Sequence, residues 1–256
     1  MKLFSPAKIN LFFRILSKRD DGYHEIETLM QTISMGDTLT LEKSDQDEYD
    51  LNDDNLVIKA LKLFRRHTGQ AFSVAIDLKK VIPIQAGLGG GSSNAATTLW
   101  GLNELGDCPL SNLDLIEMSR ELGSDVPFFF SNGTAYCWGR GELFEEADPD
   151  DNPKLWIVKP KGIGLSTPLV YSASVPNPNG DHFGNDLEKS AFTLLPSLQA
   201  LKEKLYHTGF DFVQMTGSGT AFYCRGNPES VNLPDVEMTK ATYVQRTDKE
   251  WYHADV

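Results

Sequence analysis

The sequence predicts a protein of mixed helices and strands that is divided into two domains. The first observation is that strand-like runs alternate with helix-like segments along the chain. The second is a glycine-rich loop, within residues 82–98, that joins a strand-like run to a helix start. The third is a charged, proline-bearing stretch at 145–153, which is the best candidate linker. We therefore expect one domain at 1–152 and a second at 153–256.

Length and composition are those of a globular protein with a sizeable core. The chain has 256 residues, 40% of them hydrophobic and 23% charged. Its net charge of −12 argues against nucleic acid or an anionic membrane as a partner. Neither a signal-peptide core nor an 18-residue apolar run is present. Cys108, Cys137 and Cys224 lack disulfide or zinc spacing, so we expect buried thiols in a cytoplasmic protein.

The amino-terminal part is predicted to be rich in strands. Residues 2–16 show the apolar alternation of a strand, with Lys8 and Asn10 on the opposite face from the apolar row. Side chains placed in this way are usually exposed to solvent. A turn is predicted at 18–24, and an aromatic ring and an imidazole lie at its end. Glu25–Leu41 is strand-like but broken at Gly36-Asp37.

A helix and a strand precede the glycine loop. Asn55 is predicted to cap a helix that ends at Gly69. Val74–Leu78 is a short strand that leads into the loop.

The loop itself indicates a phosphate site. Four glycines lie within Gly87–Gly91, and Ser92-Ser93-Asn94 offer N-cap chemistry for a helix that continues to about Leu105. Free backbone N–H groups and the positive end of a helix dipole both favour a phosphate. The loop is neither a Walker A motif, which needs Lys-Ser/Thr after the glycines, nor the dinucleotide fingerprint, whose third glycine position is Ser92 here.

The remainder of the chain offers two further turns of interest. After a predicted helix at Ser111–Leu122, Asp125 lies in a turn before the apolar run Phe128–Phe130, which we expect in the core. Strands are predicted at 133–138 and 155–158, and a helix at about 194–206. A second glycine turn, 216–220, leads into another strand-like run.

Five motifs together resemble the GHMP kinases. They are Pro6-Ala7-Lys8-Ile9-Asn10-Leu11, Gly22-Tyr23-His24, Pro83 to Ala96, Gly123-Ser124-Asp125-Val126-Pro127-Phe128-Phe129 and Thr216-Gly217-Ser218-Gly219. The resemblance covers residues 4 to about 224 and, within the superfamily, is greatest to members whose acceptor is a cytidine diphosphate sugar alcohol. It implies an α+β, two-domain fold. The N-terminal domain would be like domain 2 of ribosomal protein S5, and the C-terminal domain would be ferredoxin-like.

The resemblance also implies an activity and a set of site residues. ATP, with Mg²⁺ held through its phosphates, would phosphorylate the 2-hydroxyl of the erythritol part of the acceptor, a step of the non-mevalonate route to isoprenoids. Asp125 matches the catalytic aspartate and Lys8 the catalytic lysine. The ATP site would comprise Asn55 and, in the loop, Pro83, Ile84, Gln85, Ala86, Gly87, Leu88, Gly89, Gly90, Gly91, Ser92 and Ser93. The acceptor site would comprise Asn10, Tyr23, His24, Phe183, Gly217 and Ser218. Gln85 departs from the family, which commonly has glycine there.

Three functions remain open at this point. The first is the kinase for a cytidyl acceptor, because an aromatic ring beside an imidazole, as in Tyr23-His24, suits a nucleobase. The second is another GHMP kinase, for homoserine or mevalonate. The third is a nucleotide-binding regulator without turnover, against which the presence of Asp125 and Lys8 counts. For each reading we expect small-molecule partners and a monomer or weak homodimer.

Overall fold

A computed structural model describes residues 1–106, 109–149, 152–180, 182–228, 233–247 and 250–253. The strands are β1 (Lys2–Lys18), β2 (His24–Ser44), β3 (Ser73–Lys79), β4 (Thr134–Gly139), β5 (Leu143–Glu146), β6 (Leu155–Pro160), β7 (Gly184–Asn185), β8 (Phe210–Met215), β9 (Phe222–Gly226) and β10 (Val236–Ala241). The helices are α1 (Leu56–Thr68), α2 (Gly90–Leu105), α3 (Asn112–Ser119), α4 (Thr167–Ser172), α5 (Leu187–Leu194) and α6 (Ser197–His207), with a 3₁₀ helix at Pro127–Phe130.

The strands form two sheets, which confirms the mixed α+β class. The first sheet has the order β5-β4-β2-β1-β7, with β3 also paired to β2. The second has the order β10-β6-β9-β8. Strand β7 comes from the second half of the chain but pairs in parallel with β1 of the first half. The predicted domain boundary near residue 152 therefore stays a prediction, and residues 150 and 151 of the linker lie outside the described part.

Strand β2 is continuous, so the predicted break at Gly36-Asp37 is wrong. The β1–β2 ladder instead changes register between Pro6 and Ala7, where a bulge absorbs the irregularity. Gly36 is opposite Pro6, and a Cβ at this position would overlap the ring of Phe4. The glycine therefore permits a close approach within the sheet and does not end the strand.

Helix α1 has the predicted ends, whereas helix α2 begins earlier than predicted. The Asn55 side chain accepts a hydrogen bond from the Val57 N–H at 3.0 Å, and Gly69 closes α1 in the left-handed conformation. In α2, Gly89 is the N-cap, with φ of 68°, and no side chain caps the helix. Ser93 and Asn94 lie inside α2 and are buried, so they are not capping residues.

The buried apolar side chains form three clusters. One lies between the first sheet and helices α1 to α3 and includes the predicted core residues Phe128–Phe130. Another lies in the second half, around β6, β8 and β9. The third joins the two halves, because Ile9 and Leu88 contact the same cluster as Ile157 and Tyr223.

Two further findings concern thiols and membrane spans. Cys137 and Cys224 are buried free thiols, as predicted, whereas Cys108 lies outside the described residues. None of the helices in the described ranges combines the length and apolar character needed to cross a bilayer.

Candidate active site

One large cleft, of about 970 Å³, collects most of the predicted site residues. Both halves of the chain contribute to it, since the glycine loop forms one wall and the second glycine turn another. The predicted residues that line it are Lys8, Tyr23, His24, Asn55, Pro83, Ile84, Gln85, Ala86, Gly87, Leu88, Gly89, Gly90, Gly91, Ser92, Asp125, Gly217 and Ser218.

The two glycine turns are in contact at the floor of the cleft. A Cβ on Gly87, whose φ is 75°, would overlap the carbonyl oxygen of Thr216. The N–H groups of Thr220 and Ala221 donate to the carbonyls of Gln85 and Ala86, at 3.2 and 3.0 Å. The amino end of α2 lines the cleft beside this contact. Its free N–H groups and helix dipole suit a phosphate group.

Gln85 has the positive φ that glycine favours, although it carries a side chain. Its φ is 52°, the one positive value of a non-glycine residue in the described part of the chain. For a residue with a Cβ this conformation costs roughly 1–2 kcal/mol. The contacts of the loop with the second glycine turn stabilise this strained residue.

Lys8 and Asp125 meet in the cleft although 117 residues separate them in the sequence. The Lys8 Nζ lies 3.5 Å from Asp125 Oδ2 and donates to Asn10 Oδ1 at 2.7 Å. The Asn10 amide in turn donates to Thr28 Oγ1 at 2.8 Å, and its backbone N–H donates to Thr216 Oγ1 at 3.0 Å. The ammonium group is therefore held between a carboxylate on one side and a fixed amide on the other.

The pattern-based expectation that Lys8 and Asn10 are exposed is wrong. Their side chains are 4% and 0% exposed. Alternation along β1 distinguishes two faces, but here both faces are covered, one by the helices and the other by the second half of the chain. A lysine buried at this depth is costly without partners, and Asn10 and Asp125 supply them.

Asp125 lies at the end of the turn that follows α3. Its side chain is 35% exposed and faces the cleft, while the next residues enter the buried 3₁₀ helix Pro127–Phe130. A carboxylate anchored by its neighbours and open on one side can accept a proton from a bound hydroxyl group.

Tyr23 and His24 also line the cleft. The Tyr23 ring is 54% exposed, and the guanidinium carbon of Arg140 lies 4.9 Å from its centroid. His24 is buried beside Tyr171, with ring centroids 5.4 Å apart. Burial, aided by the charge of Lys18, lowers the pKa of His24, so its imidazole is neutral at pH 7. A neutral imidazole can both donate and accept a hydrogen bond.

Three predicted site residues are not among those that line the cleft. Phe183 is 84% exposed and lies outside it. Ser93 is buried within α2, where its hydroxyl is 2.8 Å from that of Ser5. Asn10 is buried behind Lys8 and contacts the site through the ammonium group.

The structure adds residues that the sequence patterns did not indicate. Lys80 lines the cleft and is held by the buried carboxylate of Asp37 and by Asn94 Oδ1, at 2.9 Å from the latter. Arg140 and Tyr171 also line it. The glycines on both sides of Arg140 were a signal for a special turn. Tyr171 lies on the short helix α4, whose N-cap Ser166 makes no side-chain cap hydrogen bond, and we predicted no helix there. No group of three metal-binding side chains occurs in the part of the chain that the structure describes.

Comparison with known proteins shows similarity along almost the whole chain. The model of the GHMP kinases N terminal domain matches residues 55–133. The chain is 46% identical to the 4-diphosphocytidyl-2-C-methyl-D-erythritol kinase of Protochlamydia amoebophila (strain UWE25), over 98% of this chain and 93% of that protein. It is 40% identical to the chloroplastic/chromoplastic protein of the same name from Solanum lycopersicum, over 98% of this chain and 73% of that protein.

Solved structures agree with these relatives. A crystal structure of 4-(cytidine 5'-diphospho)-2C-methyl-D-erythritol kinase superposes with a TM-score of 0.83 at 31% identity, covering 95% of this chain and 99% of that one. A crystal structure of mevalonate kinase gives a TM-score of 0.70 at 14% identity, covering 96% and 100%. The second likeness shows a shared fold.

Proposed function

The chain belongs to the 4-diphosphocytidyl-2-C-methyl-D-erythritol kinase family of the GHMP kinases, and we propose that its cleft carries out the reaction for which that family is named. The enzyme transfers the γ-phosphoryl group of ATP to the 2-hydroxyl of 4-diphosphocytidyl-2-C-methyl-D-erythritol, in the non-mevalonate (methylerythritol phosphate) pathway of isoprenoid biosynthesis. The observation that supports it most is the 3.5 Å contact of Lys8 with Asp125, between a phosphate loop and a site for an aromatic base.

The ATP phosphates bind at Gly87–Gly91 and at the amino end of α2. The close contacts around Gly87 and Gly89 leave no space for a side chain, so backbone N–H groups line this end of the cleft. Asn55 lies on the adenine side, and Lys80 adds positive charge beside the loop. Mg²⁺, held by the ATP phosphates, would screen their negative charge during transfer.

Asp125 and Lys8 act on the acceptor hydroxyl. The Asp125 carboxylate removes the proton as the hydroxyl oxygen attacks the γ-phosphorus and ADP leaves. The Lys8 ammonium, fixed by Asn10, lies where it can stabilise the charge of the transferring phosphoryl group. Gly217 places the second glycine turn against this pair, since a Cβ there would be 3.4 Å from Lys8 Nζ.

The cytosine end of the acceptor binds at Tyr23 and His24. The exposed Tyr23 ring offers a stacking surface, and the neutral His24 imidazole meets the polar edge of the base. Phe183 is not part of the proposed base site, because its side chain lies outside the cleft. We also propose that the enzyme is cytoplasmic, that it is a monomer or weak homodimer, and that its partners are its small-molecule substrates.

A panel of acceptors tests the assignment. With ATP and Mg²⁺, we expect phosphorylation of the cytidyl acceptor and none of homoserine or mevalonate. The Asp125→Asn variant, purified in the same way, shows whether a contaminating kinase contributes. If kcat/KM for homoserine or mevalonate equals that for the cytidyl acceptor, the assignment of the substrate is wrong. Nucleotide binding without turnover of any acceptor would indicate a regulator.

A further inference from the structure

The cleft is less negative than the protein around it. Among the described residues that line it, the four cationic side chains are Lys8, Lys18, Lys80 and Arg140, and the two carboxylates are Asp21 and Asp125. The chain as a whole has a net charge of −12. Asp37 pairs with Lys80 and Glu142 with Arg140, so the charges in and around the cleft nearly cancel. An anionic ligand therefore meets less electrostatic repulsion here than at the rest of the surface.

The four cations fall into two pairs, one against the glycine loop and one beside Tyr23 and His24. Lys8 and Lys80 lie against the glycine loop, because Cβ atoms on Gly89 and Gly90 would be 2.8 Å from Lys8 Cγ and 3.4 Å from Lys80 Nζ. These two lie beside the loop where the phosphates of a nucleotide would bind. Lys18 pairs with His24 across the β1–β2 ladder, and Arg140 lies over the Tyr23 ring. Lys18 and Arg140, beside Tyr23 and His24, are therefore placed to bind a second anionic group.

Arg140 is held in place for such a contact. It lies in the β4–β5 hairpin, where Glu142 Oε2 accepts its backbone N–H at 2.6 Å and Oε1 accepts its Nε–H at 3.2 Å. The Tyr23 ring supports the guanidinium face. Within the described ranges, neither terminal amino group of Arg140 has a hydrogen-bond partner, although both carry donors. A guanidinium group fixed in this way presents a planar pair of donors that matches phosphate oxygens.

The neighbouring carboxylates leave these donors available. Asp21 interacts electrostatically with Arg140, but it accepts its hydrogen bonds from Arg19 Nε, at 3.2 Å, and from the backbone N–H of Tyr23, at 3.0 Å. Glu142 is bonded to the backbone and Nε of Arg140 itself, which orients the guanidinium without covering its terminal amino groups.

On the basis of the proposed function, we propose that Arg140 binds the diphosphate of the cytidyl acceptor and so determines specificity for it. The base then lies at Tyr23 and His24, the diphosphate lies at the terminal amino groups of Arg140, and the sugar alcohol extends toward Asp125. Glu142 is a positioning residue, because it acts through Arg140.

Comparing the binding of cytidine with that of CDP separates the contact of Arg140 with the diphosphate from recognition of the base. Calorimetry is done with the site of the glycine loop filled by a non-hydrolysable ATP analogue, so that CDP binds only at the acceptor end. We expect the wild-type protein to bind CDP more tightly than cytidine. Hydrogen bonds to a charged group are worth about 1.5–3 kcal/mol, so Arg140→Gln should weaken CDP binding about 10- to 100-fold. Cytidine binding should change less than about twofold, since no charged contact is lost.

Arg120→Gln is the matched control. Arg120 is paired with Glu117 on the surface of α3, and its side chain is 33% exposed, against 31% for Arg140. It should leave CDP binding unchanged, and thermal unfolding of both variants shows that the fold is intact. Arg140→Lys, which keeps the charge but loses the planar fork, should give an intermediate affinity.

Three outcomes would overturn the inference. They are equal affinity of the wild-type protein for CDP and cytidine, equal losses of both ligands in Arg140→Gln, and no loss of either. The binding experiment needs no turnover, so it gives an answer even if the acceptor panel contradicts the proposed reaction. Conversely, the protein could phosphorylate the cytidyl acceptor while its CDP affinity is insensitive to Arg140→Gln. The proposed function would then stand, and the contact of Arg140 with the diphosphate would be refuted.

Discussion

At the scale of single residues, the contact of Lys8 with Asp125 brings an ammonium group and a carboxylate together in the cleft. Lys8 lies on β1, and Asp125 lies in a turn more than a hundred residues later. The β1 strand places the ammonium group at the floor, and the 3₁₀ helix at Pro127–Phe130 anchors the turn that carries the carboxylate. The arrangement is therefore fixed by the core before any substrate binds.

The Asp125→Asn variant tests the role of the carboxylate. The amide has nearly the same shape but cannot accept the proton, so we expect kcat to fall about 10²- to 10⁴-fold. ATP affinity should change little, because the phosphate loop lies on a different element. Single-turnover kinetics and calorimetry with ATP measure the two quantities. A kcat equal to that of the wild type would remove Asp125 from the mechanism.

Residue patterns and family resemblance differed in what they predicted at this scale. The resemblance indicated Lys8 and Asp125 as catalytic residues without showing that they meet, whereas the strand pattern alone placed Lys8 and Asn10 in solvent. Two-residue periodicity cannot tell whether a second layer covers the polar face of a strand. Arg140 had no local signal for its role, because its contact with Tyr23 depends on how two hairpins meet.

At the scale of elements, the phosphate loop depends on its contact with the second glycine turn. Gly87→Ala tests this dependence, because its Cβ would overlap the Thr216 carbonyl. The matched control is Gly69→Ala, at φ of 68° against 75°, where nothing lies within 4 Å of the added Cβ. The control should cost about 1–2 kcal/mol for its conformation alone. Gly87→Ala should cost about 1–3 kcal/mol more and also weaken ATP binding.

Denaturant unfolding and ATP calorimetry of the two variants make the comparison. If Gly87→Ala and Gly69→Ala lose the same stability and both bind ATP normally, the contact between the two glycine turns has no energetic role.

Element prediction succeeded where the signals were local. The ends of α1 follow from Asn55 and Gly69, each of which acts on its own helix. The start of α2 was predicted too late because Ser92-Ser93-Asn94 are residue types that often cap helices. In the structure they lie inside the helix, after the N-cap Gly89. Asn94 instead donates to the buried carboxylate of Asp37 at 2.9 Å, a partner 57 residues away that no local pattern reveals.

At the scale of the whole molecule, the end of the chain returns to the first half. Trp251 and Tyr252 are buried in the core cluster of helices α1 to α3, and the Trp251 indole donates to the Phe4 carbonyl at 3.0 Å. The Arg246 guanidinium donates to the carbonyl of Ser131 at 2.9 Å and also to that of Phe130, where the 3₁₀ helix ends. The segment that follows β10 thus stabilises the element next to Asp125.

These connections predict that the chain unfolds as one cooperative unit. Ile9 and Ile157 belong to one apolar cluster, and the C-terminal segment packs on the first half. Unfolding of either half would therefore expose buried apolar side chains of the other. Trp156 reports on the second half, and Trp100, stacked on Trp251, reports on the first. Fluorescence differences between the wild type and the Trp156→Phe and Trp100→Phe variants isolate each signal. We expect coincident urea midpoints for the two probes and for far-UV circular dichroism. An earlier midpoint for the Trp156 signal would show that the halves 1–152 and 153–256 are energetically separate domains.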